Sequence, residues 1–123
     1  MHNAINWFEI PAADFDRAVT FYNTVLGIEI RKDKFMGEPQ GFFPGEDMAV
    51  RGAIVYRQRL TPSTAGSLIY LNAGTADGLE QALSRVESSG GKITMPKTDI
   101  GEAGFIAIIL DTEGNCVGLH ALR

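Results

Sequence analysis

The sequence predicts an α+β domain built from two halves of the same kind, each with one strand, one helix and three further strands. Two amphipathic helix patterns carry this prediction, because each follows a short apolar strand pattern. The same order of elements returns after about 63 residues, which indicates an internal repeat. A strand-helix-three-strand unit cannot bury both of its faces alone, so the two halves should pack together.

The first half begins with a strand and a helix. Residues 5–11 alternate between two faces, as a strand does. Asp14 can cap a helix whose apolar residues recur at three-and-four spacing, and Gly27 supplies the left-handed residue that ends it. Three more strands are predicted at residues 28–30, around Phe42 and Phe43, and at residues 49–56.

The second half repeats this order after a polar connector at about residues 58–66, which contains Pro62 and Gly66. A strand is predicted at residues 68–73, a helix starting at Asp77, and strands at residues 92–95, 105–110 and 116–122. We therefore expect a single domain over residues 1–123, with repeat one at about 4–57 and repeat two at about 67–123.

Composition narrows the class of protein. The 123 residues are 45% hydrophobic and 21% charged, as in ordinary globular proteins, and they contain no apolar run long enough for a membrane span. The beginning of the chain lacks signal-peptide features, so a cytoplasmic location is expected, with His2 as an exposed terminal residue. The net charge of −4 argues against nucleic acid as a partner, and the single Cys116 is expected to be an inert thiol.

Two motifs resemble the vicinal-oxygen-chelate superfamily of glyoxalases, bleomycin-resistance proteins and extradiol dioxygenases. The helix motif Asp-x-x-Arg-Ala-x-x-Phe-Tyr-x-x-x-Leu-Gly begins at Asp14 and ends at Gly27. The hairpin motif Asp-x-Glu-Gly-Asn-x-x-Gly-Leu-His begins at Asp111 and ends at His120. Phe-Glu-Ile-Pro in the first strand resembles the branch of predicted enzymes related to lactoylglutathione lyase.

The resemblance implies a cupped eight-stranded mixed sheet around a cavity, where metal-using relatives hold a divalent cation. Carried over by position, their ligands fall here on Trp7, Gly52, Tyr70 and Gly118. None of these residues is a competent metal ligand, since glycine has no side chain and tryptophan offers only an N–H donor. No cofactor is therefore predicted, and a divalent metal, although possible, is not expected.

Two residues further along the same predicted faces lie Glu9, Ile54, Asn72 and His120. Glu9 and His120 are the candidate catalytic residues, because a carboxylate beside an imidazole makes a general acid/base unit. The candidate ligand-binding residues are aromatic or amide side chains expected to line the pocket: Trp7, Tyr70, Asn72, Phe43 and Phe105.

Three functions stay open at this point. The chain is a metal-independent binding protein for a small organic molecule, or a lyase or isomerase that uses Glu9 and His120 with or without a metal. The third alternative is a structural or interaction module whose cavity is filled by Trp7 and Tyr70. A homodimer is predicted for all three, because curved sheets leave edges that a partner can cover. Residues 39–47 are expected to be either a lid or a plain loop.

Overall fold

The computed structural model describes residues 4–123, so His2 lies outside the described residues. These residues form two four-stranded mixed sheets and two helices, which confirms the predicted α+β class with two strand-helix-three-strand halves. Among them, the two sheets are not hydrogen-bonded into one eight-stranded sheet.

The first sheet holds the first four strands of the chain. Its elements are β1 (Trp7–Pro11), α1 (Phe15–Leu26), β2 (Arg31–Phe35), β3 (Glu38–Phe42) and β4 (Arg51–Val55). The strand order is β1-β4-β3-β2, in which β1 and β4 are parallel and the other pairs antiparallel. Strand β1 is therefore at one edge of the sheet, and the hairpin of β2 and β3 is at the other.

The second sheet repeats this topology. Its elements are β5 (Tyr70–Thr75), α2 (Ala76–Ser84), β6 (Lys92–Asp99), β7 (Phe105–Leu110) and β8 (Cys116–Leu122), with short 3-10 turns at Glu87–Ser89 and Gly101–Ala103. The strand order is β5-β8-β7-β6, again with one parallel pair, β5 and β8.

The ends of both helices follow from local side-chain chemistry. Asp14 caps α1 by accepting a hydrogen bond from the Arg17 amide, and Gly27 ends it at a φ of 65°, as predicted. Helix α2 is capped by Thr75, whose side chain accepts from the Gly78 amide. The predicted helix start at Asp77 was therefore one residue late, since α2 begins at Ala76. The Asp77 carboxylate lies in the first turn, where the helix dipole favours it.

Strand β2 was predicted three residues too early. It is the outer edge strand, and all five of its residues are exposed, so no apolar alternation marks it. Ile30, which the prediction assigned to a strand, is instead a buried residue whose amide donates to the Asn23 side chain at 2.8 Å.

The lid hypothesis for residues 39–47 is wrong for the first part of that stretch. Residues 39–42 belong to strand β3, and Phe43 is buried in the core. Gly41 lies against α1 and its neighbours, where an added Cβ would come within 2.9 Å of the Ile30 Cγ2 atom. This close packing excludes a lid movement of the strand.

One hydrophobic core joins the two halves on the helix sides of their sheets. Its largest fully buried side chains come from both helices and from strands of both sheets: Tyr22, Phe21, Ile54, Leu79, Ile109 and Leu119. Burying apolar surface at this density is the main stabilising contribution to such a fold. No helix within residues 4–123 is both long and apolar enough to cross a bilayer.

A buried polar network ties the turn between β7 and β8 to α1. The Tyr22 hydroxyl donates to Asp111 Oδ2 at 2.7 Å, and the Asn115 side chain donates to the same oxygen at 2.9 Å and to the Pro11 carbonyl at 2.7 Å. Burial, followed by the charge of Asp111, raises the pKa of the Tyr22 hydroxyl well above its usual value. The turn of the second half is thus held against the first half by satisfied buried groups.

Candidate binding site on the open faces of the sheets

Each sheet has one face packed on the helices and an opposite face, which we call its open face. Strand register assigns the residues, because directly paired residues point to the same side. In the first sheet Trp7 pairs with Arg51, and Glu9 with Ala53. In the second sheet Tyr70 pairs with Gly118, and Asn72 with His120. These residues lie on the open faces, on the edge strands β1 and β5 and on the strands paired with them.

Trp7 is a partly free aromatic surface on the first open face, with 43% of the residue exposed. Its ring packs on Phe42, with the centroids 6.1 Å apart, and its Nε1 donates to Glu9 Oε2 at 3.3 Å. The guanidinium of Arg31 lies 4.7 Å from the Phe42 centroid. Contacts with Phe42 and Glu9 therefore fix the position of the indole, while much of its surface is exposed to solvent.

Tyr70 takes the equivalent place on the second open face and is 45% exposed. Its ring lies over Gly118, where an added Cβ would come within 2.3 Å of the Tyr70 Cδ1 atom. The glycine is what allows the ring to lie flat across β8. Beside the ring is a groove of about 430 Å³, lined by Ile5, Phe8, Val50, Leu68, Ile69, Tyr70, Leu71 and Asn72. The groove thus lies between the start of β1 and the edge strand β5.

Two residues expected on the open face of the first sheet point the other way. Gly52 pairs with Phe8 and would clash with it if it carried a side chain, and Ile54 is fully buried in the core. The error is a register shift of one residue in β4, which exchanges the two faces. Arg51 and Ala53 are the residues that face the open side.

The side chains at these positions do not fit a divalent cation. Trp7 and Arg51 offer only N–H donors, Gly118 has no side chain, and a neutral Tyr70 hydroxyl is a poor ligand. Within residues 4–123 no group of three or more His, Cys, Asp and Glu side chains is placed to hold a metal ion.

The candidate catalytic residues each have another partner. Glu9 is paired with Arg57, at 2.8 Å and 2.9 Å to its two carboxylate oxygens. His120 Nε2 lies 2.6 Å from the Ala103 carbonyl; because a carbonyl only accepts, Nε2 carries the proton of this bond. In the part of the chain that the structure describes, no hydrogen bond or ion pair joins Glu9 to His120, so their catalytic role stays a prediction.

The remaining candidate ligand-binding residues are divided between the faces. Phe43 packs on Tyr22 and Phe8 on the helix side of the first sheet, and it lines a groove of about 160 Å³ that Asn72 also lines, so its ligand-binding role stays a prediction. Phe105 pairs with the buried Ala121 on the helix side, which corrects its expected position. The face of Phe105 could not be predicted, because aromatic residues in strands look alike on either face. Asn72 is exposed on the open face and accepts a hydrogen bond from the Gly74 amide at 2.8 Å.

Sequence reasoning missed three residues near Trp7: Phe42 packs on its ring, Arg31 lies over the Phe42 ring, and Arg51 is its register partner on β4. Phe42 was placed with Phe43 in a predicted strand but was not named as a site residue, and Arg51 was displaced by the one-residue error in β4. The alternation of Gln40 and Phe42 in a strand was the available signal, but the neighbouring glycines and prolines concealed it.

A two-repeat α+β fold with open sheet faces, and two helices packed on the opposite sides, defines the class of small glyoxalase-like domains. A family model agrees over nearly the whole chain: the model described as Glyoxalase/Bleomycin resistance protein/Dioxygenase superfamily matches residues 4–119. This chain belongs to that superfamily.

Solved structures with the same fold include binding proteins and enzymes. A glyoxalase/bleomycin resistance protein from Albidiferax ferrireducens T118 is similar with a TM-score of 0.78 at 15% identity, over 98% of this chain and 100% of that one. TnmS3, an antibiotic binding protein from Streptomyces sp. CB03234, gives a TM-score of 0.65 at 22% identity, over 98% and 97%.

A glyoxalase I variant from Zea mays gives a TM-score of 0.69 at 21% identity and covers 94% of this chain. This chain spans 45% of the length of the maize protein. No curated protein sequence matches the chain. At these identities the structures establish the fold and leave the ligand open.

Proposed function

We propose that this chain is a metal-independent small-molecule binding protein whose ligand is a planar aromatic molecule held against Trp7 and Tyr70. One observation carries the proposal: both rings are nearly half exposed, at 43% and 45%, on the open faces of their sheets. Exposed aromatic rings supply contact area and stacking with little loss of conformational entropy.

The surroundings of the rings support a binding role. The groove beside Tyr70, about 430 Å³ in volume, is within the usual size range of small-molecule sites and is lined mostly by apolar side chains. Several of its lining residues are large hydrophobic side chains that solvent reaches, including Ile5, Val50 and Leu68. Covering such surface is favourable, so a ligand would gain affinity by burying it.

The two other functions have less support. A lyase or isomerase based on Glu9 and His120 needs them to act together, whereas each is hydrogen-bonded elsewhere. A filled, non-binding module needs Trp7 and Tyr70 in the core, whereas both are exposed. A homodimer and a cytoplasmic location stay predictions. TnmS3, which has the same fold, is an antibiotic binding protein, and this favours binding as a role for this fold.

The test is titration of the purified protein with 2-naphthamide, a neutral planar probe, followed by calorimetry and by the fluorescence of Trp7, the single tryptophan of the chain. We expect saturable binding with one probe molecule per protein chain. Trp7→Ala and Tyr70→Ala should each weaken it about tenfold, because loss of one stacking partner costs on the order of 1.4 kcal/mol.

Tyr56→Ala is the matched control, since Tyr56 is also a half-exposed tyrosine but lies after β4 and outside the two open faces. It should leave the affinity unchanged. Absence of saturable binding, or equal losses in the Tyr70 and Tyr56 variants, would contradict the proposed function.

A further inference from the structure

We propose that the ring of the ligand carries a carboxamide or lactam group, and that Asn72 and His120 bind this group beside Tyr70. Asn72 donates to its carbonyl oxygen, and His120 accepts its N–H. The inference rests on the proposed function, because it concerns the ligand of the same site. It follows from two hydrogen-bonding atoms on the open face of the second sheet.

His120 is fixed on this open face through one of its two ring nitrogens. Its neighbours in β8, Leu119 and Ala121, are buried in the core, so the imidazole lies on the opposite face of the sheet. Nε2 donates to the Ala103 carbonyl at 2.6 Å, and a neutral imidazole then has its free lone pair on Nδ1. Nδ1 is thus a hydrogen-bond acceptor whose orientation is set by the protein.

Asn72 has the opposite hydrogen-bonding character. It pairs with His120 across the parallel strands β5 and β8, on the same face of the sheet. Its Oδ1 accepts from the Gly74 amide at 2.8 Å, which identifies the oxygen of the side-chain amide and turns Nδ2 away from this bond. Nδ2 is thus a donor on the strand next to the Nδ1 acceptor.

Both atoms are accessible. Among the described residues, Asn72 Nδ2 and His120 Nδ1 form no hydrogen bond with each other or with another group, whereas every buried side-chain nitrogen or oxygen there has a partner. The two atoms therefore reach solvent. Ile106, which is the antiparallel neighbour of His120 on β7, has no polar side chain that competes for them.

Two charged side chains share a second groove with Asn72. Asp77 and Arg123 line this groove at the start of α2. Arg123 is held there by an ion pair with Asp99 and by a hydrogen bond to the Gly101 carbonyl at 3.0 Å. A charged ligand would respond to these groups as well as to Asn72 and His120, so neutral probes isolate the two hydrogen bonds.

A carboxamide or lactam matches the pair of atoms. It presents a carbonyl acceptor and an N–H donor on one edge of a flat group, and the attached ring can lie against Tyr70, two residues before Asn72 on the same face. A ketone or an ester uses only the Asn72 donor. A carboxylate would place a lone pair against the lone pair of Nδ1. Neutral aromatic carboxamides and lactams are therefore the ligand class of this open face.

The experiment compares two neutral probes of the same shape by calorimetry at pH 8. They are 2-naphthamide and 2-acetonaphthone, in which a methyl group replaces the NH2 group. We expect the wild type to bind 2-naphthamide about fivefold more tightly, as for one additional hydrogen bond. A site that held its ligand by apolar contact alone would instead prefer the less polar 2-acetonaphthone.

Two variants separate the two hydrogen bonds. His120→Phe keeps a flat ring without the acceptor and should abolish the preference for 2-naphthamide. Asn72→Asp keeps the oxygen that accepts from Gly74 but loses the donor, so it should weaken both probes about fivefold, because both carry a carbonyl. Gln58→Glu is the matched control, the same amide-to-carboxylate change at an exposed residue in the turn after β4. It should change neither affinity by more than about twofold.

The comparison of the two probes on the wild type does not depend on whether a variant folds. Equal affinity of the wild type for both probes, or a preference for 2-acetonaphthone, would overturn the inference alone. So would a preference for 2-naphthamide that persists in a folded His120→Phe protein, or an Asn72→Asp protein that behaves like the Gln58→Glu control. Failure of both probes to bind the wild type would overturn the proposed function with it.

Discussion

Replacing Asp111 with alanine should lower the free energy of unfolding by about 3 kcal/mol, equivalent to a fall of roughly 10 °C in Tm. The Asp111 carboxylate is buried and accepts four hydrogen bonds, from the Tyr22 hydroxyl, the Asn115 side chain and the backbone amides of Glu113 and Asn115. Alanine would leave these donors buried without partners, and an unsatisfied buried donor is costly. Chemical denaturation at pH 7 measures the difference.

Asp47→Ala is the control, because Asp47 is an exposed aspartate in the loop before β4 with no side-chain hydrogen bond in the described part of the chain. It should change the free energy of unfolding by less than about 0.5 kcal/mol. A loss in the Asp111 variant as small as that in the Asp47 variant would mean that the turn between β7 and β8 does not depend on this network.

The second large expected effect is a loss of stability at acidic pH. The Glu113 side chain is buried and accepts hydrogen bonds from the Ala13 and Asp14 amides, from Arg17 at 2.8 Å and from Thr112 at 2.8 Å. Burial alone would raise the pKa of this carboxyl, but the hydrogen bonds from Arg17, the Asp14 amide and Thr112 outweigh burial and lower the pKa from 4.5 to about 2.

A lowered carboxyl pKa stabilises the fold above the unfolded value and loses this effect as the pH falls. Glu113 should therefore contribute about 3 kcal/mol at pH 7, lost between pH 4.5 and about 2. Glu113→Gln should be less stable than the wild type at pH 7, and the two proteins should converge in stability only as the pH falls to about 2. Denaturation curves across this range provide the measurement.

Glu46→Gln, a substitution at an exposed glutamate, should follow the wild type at every pH in the same series. Parallel curves for the wild type and the Glu113 variant would contradict the assigned role, because they would mean that the two proteins bind the same number of protons on unfolding.

The fold was largely predictable because its signals are local. Asp14 and Gly27 mark both ends of α1, and the predicted strands at residues 105–110 and 116–122 coincide with β7 and β8. Strand β2 could not be placed, since a charged edge strand with two exposed faces has no apolar pattern. The separation of the two sheets was not predictable either, because it depends on hydrogen bonds between distant strands.

The candidate site was only partly predictable. Trp7 and Tyr70 lie on the faces that strand alternation predicted for them, and their role in binding stays a prediction. Gly52 and Phe105 were misplaced, since an apolar strand that is buried on both sides gives no alternation from which to read its faces. Arg51 was consequently overlooked.

The side-chain partner of Glu9 could not be predicted from the sequence either. Arg57 lies 48 positions away in the chain, and only the parallel pairing of β1 with β4 brings it to the carboxylate. The same holds for Ala103 and His120, which meet because the turn before β7 folds over the end of β8. Residues that looked like a catalytic pair thus have separate structural partners that no local pattern indicates.

The central claim is that the protein binds its ligand without a metal ion. The most direct test is to measure the affinity for 2-naphthamide by calorimetry before and after exhaustive treatment with EDTA. The metal content is determined on the same samples. The account predicts less than about 0.1 metal ion per chain and an unchanged affinity, because the aromatic rings and not a cation hold the ligand. About one tightly bound metal per chain, with binding lost on its removal and restored by nickel or zinc, would contradict it.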